Sequence, residues 1–193
     1  RFALRVLQNP KPARVRYSFV ESLGPEASRV SVVLGTEEES CSWTTLAPLS
    51  TGGLGGEPTF PRERFRCSGG PEYFVGVTVI DDENYRPRRC IWAHPPVRGA
   101  LHIRYFGVPL GRSLHGYVGL PYLITRDGAG TTVELRVNVG DRPIGKIAHS
   151  DERGWESFDL SVGGDAQGSS DVEFQITSQN PHARSFCFYA DMR

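Results

Sequence analysis

The sequence predicts an all-β protein, an antiparallel β-sandwich of the jelly-roll type. Apolar residues alternate with polar ones through most of the chain, as they do when one side of each strand meets a core and the other meets water. The 22 glycines and 14 prolines among 193 residues exceed the usual share of roughly 12% for the two together. They are dispersed, which marks many turns between short elements. Helical periodicity is nearly absent, so roughly ten short strands are expected to pack as two sheets face to face.

The elements follow in order. Val15, Tyr17 and Phe19 alternate with Arg14, Arg16 and Ser18 as a first strand, and Val30, Val32 and Leu34 form a second after the Gly24-Pro25 turn. Between Thr36 and Cys67 the pattern dissolves into Glu37-Glu38-Glu39, Gly52-Gly53, Gly55-Gly56 and Pro58, long for a plain connection and therefore functional or disulfide-tethered. Tyr73 to Ile80 is apolar on both faces, as in a central strand covered on both sides, and Arg88 to Trp92 is its partner across Asp81-Asp82-Glu83-Asn84. After Pro95-Pro96, Leu101, Ile103 and Tyr105 point inward and His102 and Arg104 outward. Leu114 to Leu120 leads to an Asp127-Gly128 turn. Val133, Leu135, Val137 and Val139 then make the clearest strand, and Gly140-Asp141 turns Arg142 to Ala148 back upon it. Phe158 with Leu160, Val172 with Phe174 and Ile176, and Phe186 with Phe188 and Ala190 complete the set. Pro95-Pro96 either divides an N-terminal β region (1–95) from a jelly-roll-like region (96–193) or punctuates one continuous sandwich.

Charge and composition exclude several classes. The 22 basic and 22 acidic side chains cancel, without the basic footprint of a nucleic-acid binder. No apolar run approaches the roughly 18 residues of a membrane-spanning helix. Arg1-Phe2-Ala3 reads as neither an initiator nor a signal sequence, so a mature or excised segment of a larger protein is expected. Cys41, Cys67, Cys90 and Cys187 lack metal-ligand spacing and suit two disulfides in an extracytoplasmic, secreted or periplasmic, setting. Three pairings are open. Cys41 with Cys67 and Cys90 with Cys187 is preferred, because the first closes the Gly-rich excursion from Leu49 to Arg66 and the second ties mid-chain to the last strand.

From about Leu110 to Asp191 the order of features resembles galactose-binding-like jelly-roll domains, the sandwich shared by many carbohydrate-binding modules. The resemblance rests on Val133 to Asp141 leading to Ile144-Gly145, then Gly154-Trp155-Glu156-Ser157-Phe158-Asp159-Leu160, then Asp171 to Ile176 and a closing Phe186 to Ala190. It implies a fold, and no ligand-contacting residue carries over from it one by one.

No G-x-S-x-G elbow and no H-E-x-x-H pair occur, and the five histidines lie on different elements, so neither a serine hydrolase nor a metal centre is expected. No cofactor is expected; a structural calcium on Asp81-Asp82-Glu83-Asn84 is the exception considered. Arg62, Arg64 and Arg66, and Arg86 and Arg88 beside Arg89, alternate as if to present guanidinium groups to an anion or to neutralise acidic neighbours. Aromatics at turns suggest a sugar platform: Trp92 beside His94, His115 with Tyr117, and Trp155 near His149 and Asp151. Trp155 is out of phase with Phe158 and Leu160 and so faces away from the core. The ligand-binding residues expected are therefore Trp92, His115, Tyr117, His149 and Trp155. The function expected is non-catalytic recognition of carbohydrate or a cell-envelope partner. A lyase or hydrolase drawing its acid and base from Asp81, Asp82, Glu83, Asp151 and Glu152, and a structural or protein-interaction domain, are the alternatives.

Overall fold

The outcome of that alternation is visible in the core as rows. In the computed structural model, which describes residues 14–26, 29–36, 39–48, 60–82, 84–121, 130–151, 153–163, 168–182 and 184–193, the chain is an antiparallel β-sandwich of jelly-roll type. The eight-stranded sheet runs β12 (Glu156–Ser161), β9 (Ser113–Gly119), β14 (Cys187–Met192), β7 (Pro87–Ala93), β6 (Phe74–Asp81), β5 (Arg64–Arg66), β4 (Ser42–Thr44), with β1 (Tyr17–Ser18) also paired to β14. The six-stranded sheet runs β11 (Arg142–His149), β10 (Val133–Val139), β13 (Ser169–Ser178), β8 (Ala100–Pro109), β2 (Val30–Gly35), β3 (Glu39–Ser40). Strands from either side of Pro95-Pro96 are neighbours in both sheets, as β7 with β14 and β2 with β8.

In the six-stranded sheet the registers place Val32, Ile103, Phe174 and Val137 in one cross-strand row, with Leu34, Leu101, Ile176 and Leu135 on one side and Val30, Tyr105, Val172 and Val139 on the other. All twelve are buried. A one-residue slip anywhere would turn a whole strand's apolar set to water, so these rows fix the register. Against them the eight-stranded sheet sets Val75, Ile91, Ala93, Leu114, Phe188 and Ala190. Tyr105 is buried with its hydroxyl donating to the Phe19 carbonyl at 2.9 Å, and the Phe19 ring meets Tyr105 and Phe174 edge-on at 4.9 Å.

The eight-stranded sheet has apolar cover on its outer face too. Phe74, Ile80, Cys90, Trp92, Trp155 and Cys187 form a second buried cluster there, which is why the Tyr73 to Ile80 segment is apolar on both sides. Both preferred disulfides are formed, Cys41–Cys67 and Cys90–Cys187, with Cα separations of 4.4 and 5.7 Å. The second lies within the outer cluster.

Three expectations need correction. The first strand is confined to Tyr17–Ser18: Phe19 still donates its N–H to the Ala190 carbonyl at 3.2 Å but buries its ring in the core, while Val15 stays 46% exposed. The unpatterned stretch after Thr36 holds β3, β4 and β5, strands of two or three residues whose alternation is too short to read. Trp43 there packs edge-on against Phe65 at 5.0 Å. Finally, Tyr73 lies just outside β6 and Phe186 just outside β14; both stand at the end of the sandwich where the site is found. Glu37-Glu38, Glu83, Glu152, the Gly-rich residues 49–59 and the Asp127-Gly128 turn lie outside the described residues.

Candidate functional site

Strands β6 and β7 meet the start of β14 at one end of the sandwich. Ala93 N–H donates to the Phe186 carbonyl at 2.8 Å, and one residue further on His94 enters a cavity of about 490 Å³. Tyr73, just before β6, gives this cavity an aromatic wall: its ring meets that of His94 edge-on at 5.3 Å. Gly69, at φ 99°, lies beneath the Tyr73 ring, where a Cβ would sit only 3.2 Å from it. The opposite wall is the β13–β14 connection, with Gln179, Asn180, His182 and Ser185. Glu72, Val97 and Pro181 complete the lining. His94 is 7% exposed and its Nδ1 has no hydrogen-bond partner among the described residues. Burial lowers its pKa to about 4, Glu72 opposing and His182 adding to the shift. At neutral pH it is therefore an uncharged imidazole, able to donate from one nitrogen and accept at the other.

On the other side of the same connection lies a cavity of about 790 Å³. At its floor Arg184, 1% exposed, forms a two-pronged ion pair with Asp151, Nη2 donating to Oδ2 at 2.9 Å and Nη1 to Oδ1. Hydroxyls of Thr131 and Ser178 stand 3.0 Å apart on its wall. The connection is fastened to the start of β10 by Asn180 N–H on Thr131 Oγ1 at 2.8 Å and Thr131 N–H on the Asn180 carbonyl at 3.3 Å.

The residues expected from sequence fall in three places. His115 and Tyr117 sit side by side on the outer face of β9, rings edge-on at 5.3 Å, with His115 Nδ1 2.9 Å from Asp159. Trp155 joins them: it lies over Gly119, where a Cβ would come within 2.6 Å of its ring, and the Arg88 guanidinium spans the Tyr117 and Trp155 rings at 4.1 and 5.9 Å. Trp155 does face away from the main core, but it is 8% exposed and is packing rather than an open platform. Trp92 is buried at 2%, stacked on Phe74 with rings 2° from parallel. Its Nε1 donates to the Glu72 carbonyl at 3.2 Å, so it steadies the smaller cavity from behind. His149 stands apart, 1% exposed on β11 with Nδ1 2.7 Å from Glu156.

Trp155 is held by the β6–β7 turn. Asp82, 0% exposed, accepts from the N–H groups of Asn84, Arg86 and Trp155 and from the Arg86 guanidinium, while Trp155 Nε1 donates to the Arg86 carbonyl at 2.9 Å. Burial alone would raise the Asp82 pKa, but these hydrogen bonds hold it below its ordinary value. The Asp82 oxygens, among those that the sequence offered to calcium, are thus engaged by N–H donors. Among the described residues no three His, Cys, Asp or Glu side chains gather as a metal ion requires. Two more of the aligned arginines are engaged locally: Arg64 is buried over the Phe74 ring with Nη1 on the Pro61 carbonyl, and Arg89 pairs with Glu21. Sequence reasoning missed Tyr73, Gln179 and Arg184. The one signal for the latter two was the unpatterned polar stretch between the strands ending at Ile176 and beginning at Phe186.

No model of a known protein family matches the chain, and no curated protein matches it. Among solved structures it is similar to the CBM51 of Clostridium perfringens GH95, solved in complex with methyl-galactose, at 9% identity and TM-score 0.42, covering 61% of this chain and 81% of that one. It is also similar to the CBM51-2 and INT domains of Clostridium perfringens ZmpB, at 11% identity and TM-score 0.45, covering 92% of this chain and 40% of that one. A cyclase from Fischerella sp. TAU matches at 10% identity and TM-score 0.36, over 65% of this chain and 76% of that one.

Two measurements check these assignments. Trp155→Ala is expected to cost about 3–5 kcal/mol of stability, as for other buried large aromatics, read from denaturant unfolding; a cost below about 1 kcal/mol would show that Trp155 is not packing. His94, held neutral in the folded chain, makes stability fall as the pH drops from the ordinary histidine value of 6.5 toward about 4. In that window the unfolded chain binds a proton that the native state refuses. Replacing His94 with Gln should flatten this slope, and identical slopes for the two proteins would contradict the assignment.

Proposed function

We propose that this chain is a non-catalytic binding module that recognises carbohydrate, such as that displayed on a cell envelope, in the smaller cavity at the loop end of the sandwich. The observation that carries the reading is the lining of that cavity. Tyr73 offers an aromatic surface for the C–H face of a sugar ring, while His94, Glu72, Gln179 and His182 set hydrogen-bond donors and acceptors around it. These polar side chains favour a hydroxyl-rich ligand over an apolar one, which would leave them unpaired. The volume lies within the range of roughly 300–1,000 Å³ usual for small-ligand pockets. Two disulfides in one small chain suit an oxidising, extracytoplasmic setting, secreted or periplasmic. The aromatic face of His115, Tyr117 and Trp155 is, in this reading, a rigid support on another part of the same sheet.

Calorimetric titration of the intact protein with methyl-galactose and GlcNAc, preceded by a glycan-array screen, tests the reading. Binding of at least one neutral sugar is expected, and Tyr73→Ala should weaken it by about 1–3 kcal/mol, by analogy with ring stacking on other flat ligands. Unchanged affinity in a folded Tyr73→Ala protein, or no sugar bound at all, would overturn it.

A further inference from the structure

The two cavities are walls of one segment. Gln179, exposed, lines both, and of the described residues after it Asn180, Pro181, His182 and Ser185 line the smaller cavity while Arg184 reaches the floor of the larger. We infer that the cavities are two subsites of a single groove, crossed at Gln179, and that its ligand is a neutral oligosaccharide of at least two sugar units. This rests on the reading of the smaller cavity as a sugar site.

Three observations support it. The first is that the larger cavity has a built floor. Arg184 is 1% exposed, its fork is closed on Asp151, and its Nε has no partner among the described residues. Above this fixed pair, the hydroxyls of Thr131, Thr132 and Ser178 and the partly exposed Asp151 carboxylate offer donors and acceptors to a vicinal pair of sugar hydroxyls.

The second is the fixed spacing of the subsites. Gly130 lies so close to Arg184 Nε and the His182 carbonyl that any side chain there would collide with both. Together with the Thr131–Asn180 bonds this holds the dividing segment hard against β10, so the distance between the two floors is set by the scaffold. A preorganised second subsite adds affinity without a second entropy cost of association, which is how a longer chain gains over a single sugar.

The third is charge. Arg136 and Arg184 in the larger cavity stand against Glu134 and Asp151, with Lys146 also held by Glu134 at 2.8 Å. The smaller cavity contributes Glu72 and a neutral His94. Among the lining residues two cations, Arg136 and Arg184, stand against three carboxylates, Glu134, Asp151 and Glu72, which disfavours a uronic or sulfated chain.

The test is calorimetric titration of two neutral series, GlcNAc to chitotriose and galactose to β-1,4-galactotriose, with digalacturonic acid as the acidic probe. In the series that binds, affinity is expected to rise at least tenfold from one unit to two or three, with digalacturonic acid weaker than its neutral counterpart. Thr132→Trp, placing a bulky group at the exposed rim of the larger cavity, should abolish the gain while leaving binding of the single sugar and the melting temperature as they were; Ser150→Trp is a second blocking variant should the first not fold. Equal affinity for one and three units, a gain that survives both tryptophans, or tighter binding of the acidic probe would overturn the inference while leaving the single-sugar reading standing. Failure of every sugar, single units included, would remove both.

Discussion

The eight-stranded sheet is held together at a junction two residues long. Strands β7 and β14 pair only through Trp92 with Cys187 and Ile91 with Phe188, after which β1 takes over the edge of β14 at Asp191 and Met192. On one side of this seam stand β12 and β9, on the other β6, β5 and β4. Two ladder pairs are a thin connection for a sheet of this width, and the Cys90–Cys187 disulfide crosses it. It closes a separation of 97 residues, a range in which a cross-link removes roughly 4–5 kcal/mol of chain entropy from the unfolded state in the usual model. The outer cluster of Phe74, Ile80, Trp92 and Trp155 covers the bond and seals the same seam.

What lies beyond the junction follows from it. The Ala93 to Phe186 hydrogen bond is the last tie between the two halves of the sheet, and past it the chains diverge, His94 to one wall and Ser185 to the other, opening the smaller cavity. Trp92 takes part in both: it pairs across the seam, stacks on Phe74 and holds the Glu72 carbonyl. Rigid strands set the positions of loop side chains here, which gives a recognition site a fixed geometry at little entropic cost. The β6–β7 turn extends the same logic to the outer face. Asp82 gathers the turn around its carboxylate, holds Tyr85 at φ 55°, a conformation costly for a residue with a side chain, and anchors Trp155 from 73 residues away.

Local periodicity made the sandwich legible. Val133 to Val139, the Gly140-Asp141 turn and Leu101 to Tyr105 were readable because each strand has one buried face and enough residues to show it. The disulfides were readable because two cysteine pairs without metal spacing leave little else. The site was less so. That Trp155 faces out from the core followed from its phase against Phe158, but its burial depends on Gly119 beneath it and on Asp82, neither of which is marked by sequence distance. His115 and Tyr117 share a strand face and could be placed together, whereas His149 ends β11, an edge strand of the other sheet. The stretch from Ser178 to Phe186 has no period at all. Its role comes from Gly130 and Thr131, which reach it only once β10 and β13 have paired.

The proposed recognition site lies at the loop end beyond the β7–β14 junction, not on the aromatic face of β9. Backbone amide chemical shifts, followed while methyl-galactose or GlcNAc is titrated into the isotope-labelled protein, locate the contact residue by residue. Saturable shifts are expected at Glu72, Tyr73, His94, Gln179 and His182, with His115, Tyr117 and Trp155 unmoved. Shifts confined to His115, Tyr117 and Trp155 would contradict it.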